Sequence, residues 1–243
     1  NIANFGASKS DEEISYIATV IDDQEIVAIQ EVSTGIAGAD AVSRLDAELD
    51  RSGARWDYLI SNPTSGDGSE RYAILWNTSA AKSIGNPELC SVLDTTINRE
   101  PFLVRMVAHD DTFLIAIFHA VPKEKKPNRE NIQLVVIDSL YEREHLLLMG
   151  DFNASQRSAG FTWLARRGMK GAIENQKTSL KQKPDEKGNI LANEYDNIFF
   201  ETDEVICLQS GIINFAVSFA ALAEARKISD HIPVWGCFKV LAR

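Results

Sequence analysis

The sequence predicts one mixed α/β domain of the α+β kind, a two-sheet β-sandwich flanked by helices. Three observations predict it. Short apolar runs bounded by polar or glycine residues follow one another closely, as strands do. Helical stretches with one apolar face are scattered between them and need a sheet to cover. No repeat, linker or low-complexity tract divides the 243 residues, so 1–243 reads as a single domain. Two packed sheets with helices outside is the layered arrangement that suits this mixture.

Ser10-Asp11-Glu12-Glu13 has the form of a capping box, and Ile14, Ile17, Ala18 and Ile21 follow at helical spacing, so a first helix should end near Asp22-Asp23. Glu25–Val32 (EIVAIQEV) reads as a short buried strand. Asp40–Arg51 is a second helix, with Val42, Leu45 and Leu49 on one face and Gly53 closing it. Asp57–Ser61 and Tyr72–Asn77 are strands, and Pro101–His109 with Phe113–His119 forms a hairpin turned at Asp110-Asp111. Glu130–Arg143 is expected to be a helix with Ile132, Val135, Val136, Ser139 and Leu140 facing in. His145–Gly150 (HLLLMG) has the continuous apolar character of a strand buried on both faces. Ser158–Arg167 is a short helix closed by Gly168, and the polar stretch Asn175–Asn193 is a loop. Tyr195–Glu201 and Glu204–Gln209 suggest a second hairpin, and Ile232–Val240 is a last strand.

Hydrophobic residues make up 44% and charged residues 25%, which excludes an intrinsically disordered chain. The longest apolar runs, Ile212–Ala223 and Gln133–Leu140, fall short of the roughly 20 residues of a membrane span, so no stable membrane insertion is expected. For the first of them a buried helix is the expected state. Cys90, Cys207 and Cys237 are widely spaced without any CxxC, against a zinc site. Cys207 and Cys237 lie in apolar runs and read as buried small hydrophobes, with one disulfide as the alternative. The chain starts at Asn1 rather than Met, compatible with a removed leader or a trimmed start. A secreted or periplasmic location is slightly favoured over a cytoplasmic one. A net charge of -10 is a poor match to gripping nucleic acid by charge alone. The charge is uneven, however: residues 157–187 carry eight basic and three acidic side chains. That excess suits either a solvated loop or an edge that meets an anionic substrate.

Polar clusters at strand ends carry the chemistry. Glu31 ends EIVAIQE; it either leaves the strand for solvent or serves as a hard oxygen ligand for Mg²⁺. Asp151 and Asn153 follow Gly150, and extended backbone would point both to one side, toward a metal, water or phosphoryl oxygen. The alternative is an Asx turn after a buried strand. His231 suits a general base near neutral pH. In extended backbone its neighbour Asp230 points the other way, so Asp196 is the more plausible partner for His231 and Asp230 is left for the metal side. His119 ends FLIAIFH at the rim of a buried strand, whereas His109 and His145 lack polar companions and read as structural or surface groups.

In order along the chain, NIANFG, VAIQEV, SERYAILW, NREPF, FHAVP, LLLMGDFNAS, EYDNIFF and ISDHIPV resemble the endonuclease/exonuclease/phosphatase superfamily, closest to its deoxyribonuclease I branch. The resemblance spans residues 1 to about 238, and LMGDFNA followed by SDHIPV is its most specific part. It implies a deoxyribonuclease I-like sandwich and a monomeric, metal-dependent phosphodiesterase, most plausibly an endonuclease on DNA. By that resemblance Asn1, Glu31 and Asp230 hold the metal, Mg²⁺ with Mn²⁺ or Ca²⁺ as alternatives. Glu70 orients His119, which contacts phosphate or protonates the leaving oxygen. Asp151 and Asn153 position water and stabilise the transition state, and Asp196 partners the general base His231. Arg71 and Arg99, in SERYAILW and NREPF, are expected to contact substrate together with Asn153.

Three departures stand out. The family has a full strand before Asn1, so the first strand is expected to be truncated or lost. Positions where the deoxyribonuclease I branch places two Arg and a Tyr on DNA hold Ala3, Ser33 and Gly68, which weakens the DNA assignment and leaves the hydrolytic set untouched. No Cys follows GDFNA. A phosphoinositide or sphingomyelin phosphoesterase is the alternative enzyme. A non-catalytic binding member is disfavoured by the intact set of acidic, amide and imidazole residues.

Overall fold

A period of two along the strands sorts the apolar side chains into three layers. In the computed structural model, which describes residues 1–241, the chain forms eleven strands and five α-helices. The helices are α1 (Asp11–Ile21), α2 (Ile36–Arg51), α3 (Asn128–Asn131), α4 (Val135–Leu140) and α5 (Leu222–Ile228). β4 (Ala81–Leu89), β5 (Phe102–Ala108), β6 (Asp111–His119), β7 (Leu146–Asp151), β9 (Asp196–Glu201) and β8 (Met169–Gly171) make one sheet in that order. The second layer is two ladders, β1 (Ile26–Val32), β3 (Arg71–Asn77) and β2 (Trp56–Ile60), and β10 (Val205–Ile212) with β11 (Val234–Val240).

Between the sheets lies a core of Tyr72, Ile74 and Trp76 from β3 against Ile115, Ile117, Leu147, Ile198 and Phe200, with Val234 and Phe238 packed against it. Outside the three-stranded ladder, α1, α2 and α5 bury Ile14, Leu45, Leu49 and Ile228 against Ile29, Val32, Ala73 and Leu75. Outside the large sheet, Leu134, Ile137, Phe161 and Trp163 cover Leu114, Ala116, Phe118 and Leu148. This is a sandwich flanked by helices, the fold class expected. No described helix is long and apolar enough to cross a membrane.

The capping box forms: Ser10 Oγ accepts from Glu13 N at 3.2 Å, and Ser10 N donates to Glu13 at 2.9 Å. Other elements depart from expectation. β4 is new; its mostly exposed, Gly- and Pro-containing sequence AKSIGNPEL lacks an apolar alternation. The β5–β6 turn sits at His109-Asp110, both at positive φ, one residue earlier than expected. Residues 130–143 do not form one helix. They make the end of α3, a 3₁₀ turn and α4, burying Leu134 and Ile137 while Ile132 and Leu140 are exposed. Residues 158–167 form two 3₁₀ turns. The second hairpin is absent, because β9 pairs with β7 and β8 while β10 crosses to pair with β11. Residues 212–223 are not one buried helix but run from the end of β10 through a 3₁₀ turn at Phe215–Ser218 to the start of α5; Phe215 and Ala216 are buried and Val217 is exposed. All three cysteines are free, and neither Cys207, which is half-buried, nor Cys237, which is exposed, is the buried residue expected.

Candidate active site

The alternation that fills the sandwich also builds the site. On β6 the interior series Ile115, Ile117 continues to His119; on β9, Phe200 and Ile198 continue back to Asp196; on β3, Ile74 and Tyr72 continue back to Glu70. Each series ends in a polar group at the same end of the sandwich. Register aligns them, since His119 sits opposite Asp151 on β7, and Asp151 opposite Asp196 on β9. β6 and β7 approach too closely for a side chain at Gly150, where a Cβ would lie 1.9 Å from the Phe118 carbonyl oxygen. Its φ of +143° also favours glycine.

Asp151 is the hub, 1% exposed. Its Oδ2 lies 3.5 Å from His119 Nε2 and 3.4 Å from His231 Nε2. Each imidazole is backed by a carboxylate on its other nitrogen. His119 Nδ1 lies 2.9 and 3.1 Å from the two oxygens of Glu70, and His231 Nδ1 lies 2.8 Å from Asp196 Oδ2. Such backing fixes which nitrogen carries the proton and leaves Nε2 facing the cleft. Burial works against the charged form of both Asp151 and Glu70, yet their cationic and hydrogen-bonding neighbours win, and both carboxyls are held below their ordinary range. Burial likewise opposes charge on His231, but the fields of Asp196 and Asp151 raise it to about 9.

Glu31 reaches the cleft through an irregularity in the β1 pairing between Ile29 and Val32, with Glu31 itself at a φ of +64°. A bulge of this kind re-aims a side chain. Glu31 accepts from Asn1 Nδ2 at 2.9 Å and from the Asn4 amide at 3.0 Å. Asn1 Nδ2 also donates to Asp151 at 3.0 Å, while Asn1 Oδ1 is buried without a hydrogen-bond partner. Asn1 Nδ2 thus bridges the two carboxylates, and the unpartnered amide oxygen of the same side chain joins theirs in an oxygen-rich corner that fits a hard divalent cation. Asp151, Asp196 and His231 also offer ligand atoms within 4.8 Å of one another. There, however, Asp196 is already engaged by His231 and by the Thr178 hydroxyl at 2.6 Å. The Glu31 corner is therefore the better fit.

The remaining candidate residues divide. Asn153 is present, though not by strand alternation: at a φ of +47° it closes an Asx turn, its amide donating to Asp151 Oδ1 at 2.9 Å. Its Nδ2 donates to the Ala120 carbonyl at 3.0 Å. Asp230 is not drawn into the cluster; it faces Arg226 Nη2 at 3.5 Å and is 38% exposed. Arg71 pairs with Val32 and shares the helix-covered face of Ala73 and Leu75, opposite to Glu70. Arg99 is 8% exposed, and its guanidinium is committed to Glu70 and the Ala120 carbonyl. As expected, His109 lies at the surface, beside Glu25, and His145 pairs with Glu204.

Three contributors were given no role from the sequence, although Tyr195 and Ser229 stand in its polar clusters. Thr178 lies in the segment read as a plain polar loop, without a local signal. Ser229 accepts from the His231 amide and donates to the Asn1 carbonyl, both at 2.9 Å; its place just before Asp-His was the available clue. Tyr195 stacks on His231 at 6.3 Å between ring centroids.

Solved structures share the fold across nearly the whole chain. An endonuclease/exonuclease/phosphatase family protein from Bacteroides thetaiotaomicron matches with a TM-score of 0.71 at 15% identity, covering 100% of this chain and 96% of that one. A mannosyl-6-phosphatase from the same species matches at 0.71 and 14%, covering 98% and 97%. TDP2 from D. rerio, complexed with a single-strand DNA product, matches at 0.62 and 15%, covering 94% and 92%. No curated protein matches. The sequence model of one family, however, matches residues 1–231, almost the full length, and by that match the chain belongs to the Endonuclease/Exonuclease/phosphatase family.

Proposed function

We propose that the protein is a metal-dependent phosphodiesterase, an endonuclease that hydrolyses DNA as a monomer with Mg²⁺. The observation that carries the reading is the pair of carboxylate-backed imidazoles that flank one buried carboxylate, at 3.5 and 3.4 Å. A phosphodiester needs two proton movements, one off the attacking water and one onto the departing sugar oxygen, and two opposed imidazoles supply both. His231, steadied by Asp196, takes the proton from water. His119, steadied by Glu70, gives a proton to the leaving oxygen. Asn153 spends one amide hydrogen on the Ala120 carbonyl and keeps the other for a phosphoryl oxygen, where a fixed donor stabilises developing charge. Glu31, Asn1 and Asp151 would hold the divalent cation, which when bound draws charge off the phosphate. The basic excess over residues 157–187 supports a polyanionic substrate.

Plasmid nicking in Mg²⁺, abolished by EDTA, is the expected result. Parallel reactions with p-nitrophenyl phosphate and with phosphoinositide or sphingomyelin liposomes test phosphomonoester and lipid substrates. Turnover of either, with the plasmid intact, would overturn the nuclease reading. Glu31→Gln should raise the Mg²⁺ concentration for half-maximal activity by about tenfold or more, the size typical of lost metal-site contacts. An unchanged metal titration curve would remove Glu31 from the cation site.

A further inference from the structure

We propose that Arg99 is a positioning residue that ties the two halves of the site together through the Ala120 carbonyl, rather than a contact to substrate. The inference rests on the hydrolytic reading of the site. Its guanidinium forks, Nη1 donating to Glu70 Oε2 at 2.9 Å and Nη2 to the Ala120 carbonyl at 2.6 Å. Glu70 is the carboxylate behind His119. Ala120 follows His119 in the chain, and its carbonyl also accepts Asn153 Nδ2 at 3.0 Å. The Ala120 amide donates to the Asp151 carbonyl at 2.8 Å, so the backbone of this one residue is held on its N–H side by β7 and on its carbonyl side by Asn153 and Arg99. The Arg99 backbone is itself fixed, with its carbonyl accepting the hydroxyl of fully buried Tyr72 at 3.4 Å.

The chemistry follows from geometry. A buried carboxylate beside a guanidinium stays ionised and acceptor-only. Glu70 in that state accepts the hydrogen bond of His119 Nδ1–H and keeps the Nε2 side turned to Asp151. The same guanidinium sets the carbonyl that turns Asn153. Two different groups of the reaction, an imidazole at the end of β6 and an amide just after β7, thus share one support. Only a planar fork can serve both acceptors at once; a lysine ammonium is a point charge with a different reach.

The test uses Arg99→Lys and Arg99→Gln, with Glu70→Gln alone and combined with each, on the whole chain. Bis-p-nitrophenyl phosphate, a diester too small to need a binding track, reports the chemistry. Expected is a kcat reduced about 10–100-fold in both Arg99 variants with KM changed less than about threefold, as for an interaction felt only in the transition state. In the Glu70→Gln background the Arg99 change should add little, since the pair acts as one unit. The ¹⁵N shifts of the His119 ring should show loss of the Nδ1–H form in Arg99→Gln, a readout that needs no turnover and survives failure of the hydrolytic reading. A raised KM at unchanged kcat would make Arg99 a substrate contact and overturn the proposal. So would full additivity with Glu70→Gln, or an unaltered His119 tautomer in the folded Lys and Gln variants.

Discussion

Replacing His231 with Ala is expected to lower phosphodiester hydrolysis by about 10²–10⁴-fold, the usual worth of a positioned general base. The imidazole has little freedom to be replaced by its neighbours. Asp196 fixes one side at 2.8 Å, Asp151 faces the other at 3.4 Å, and Tyr195 stacks on the ring. The pH–rate profile gives a sharper check than the rate alone. Although burial disfavours the charged ring, Asp196 and Asp151 hold its titration near 9 when no cation is present. A base must be neutral to act, so the rising limb should lie high at limiting Mg²⁺. Cation charge beside Asp151 weakens that carboxylate's pull, so the limb should move to lower pH as Mg²⁺ saturates. Near-wild-type turnover by His231→Ala, or a rising limb that ignores Mg²⁺, would remove His231 from the role of base.

The site was legible in the sequence to the extent that it depends on strand phase. His119, Asp196 and Glu70 are each the next member of an alternating series whose inner residues are apolar, and alternation can be counted in one dimension. The partnerships His119–Glu70 and His231–Asp196 came from family resemblance and from the argument that Asp230 points away from its neighbour. Register was not legible: nothing in the strands alone aligns His119 with Asp151 and Asp151 with Asp196. Backbone irregularity was partly hidden. Glu31 enters through a bulge that a period-two count does not show, whereas the Asx turn that carries Asn153 stood in the sequence as the alternative to extended backbone. Arg99 and Asp230 illustrate a third limit, because charge type in a motif does not say which partner a side chain takes. The broken helix over 130–143 failed for a related reason: apolar residues at helical spacing match more than one face, and tertiary packing chose Leu134 and Ile137. The missed β4 strand lies largely exposed, where burial leaves no pattern to read.

Removing the divalent cation should make stability depend on pH in a specific window. His231 titrates from an ordinary value of 6.5 to about 9 in the folded, metal-free protein, since Asp196 and Asp151 outweigh burial. A raised folded-state pKa means that the native state holds a proton the unfolded chain releases. The resulting stabilisation is complete below about 6.5, declines as pH rises, and is gone above about 9, the opposite sense to an ion-paired carboxylate. Its size is on the order of 3 kcal/mol from the shift alone, worth roughly 5–10 °C in melting temperature for a chain of this length. In EDTA, the wild type should therefore lose that much between pH 6.5 and 9 relative to His231→Gln, which has no such proton to lose. Asp151 does not blur the window, because its lowered titration makes its own contribution fall away only in acid. Saturating Mg²⁺ should flatten the wild-type curve, as positive charge near Asp151 takes over from the imidazolium proton. Parallel melting curves for wild type and variant across the window would mean that the buried imidazole is neutral in the native protein. The Asp196–His231–Asp151 row would then act through hydrogen bonding alone.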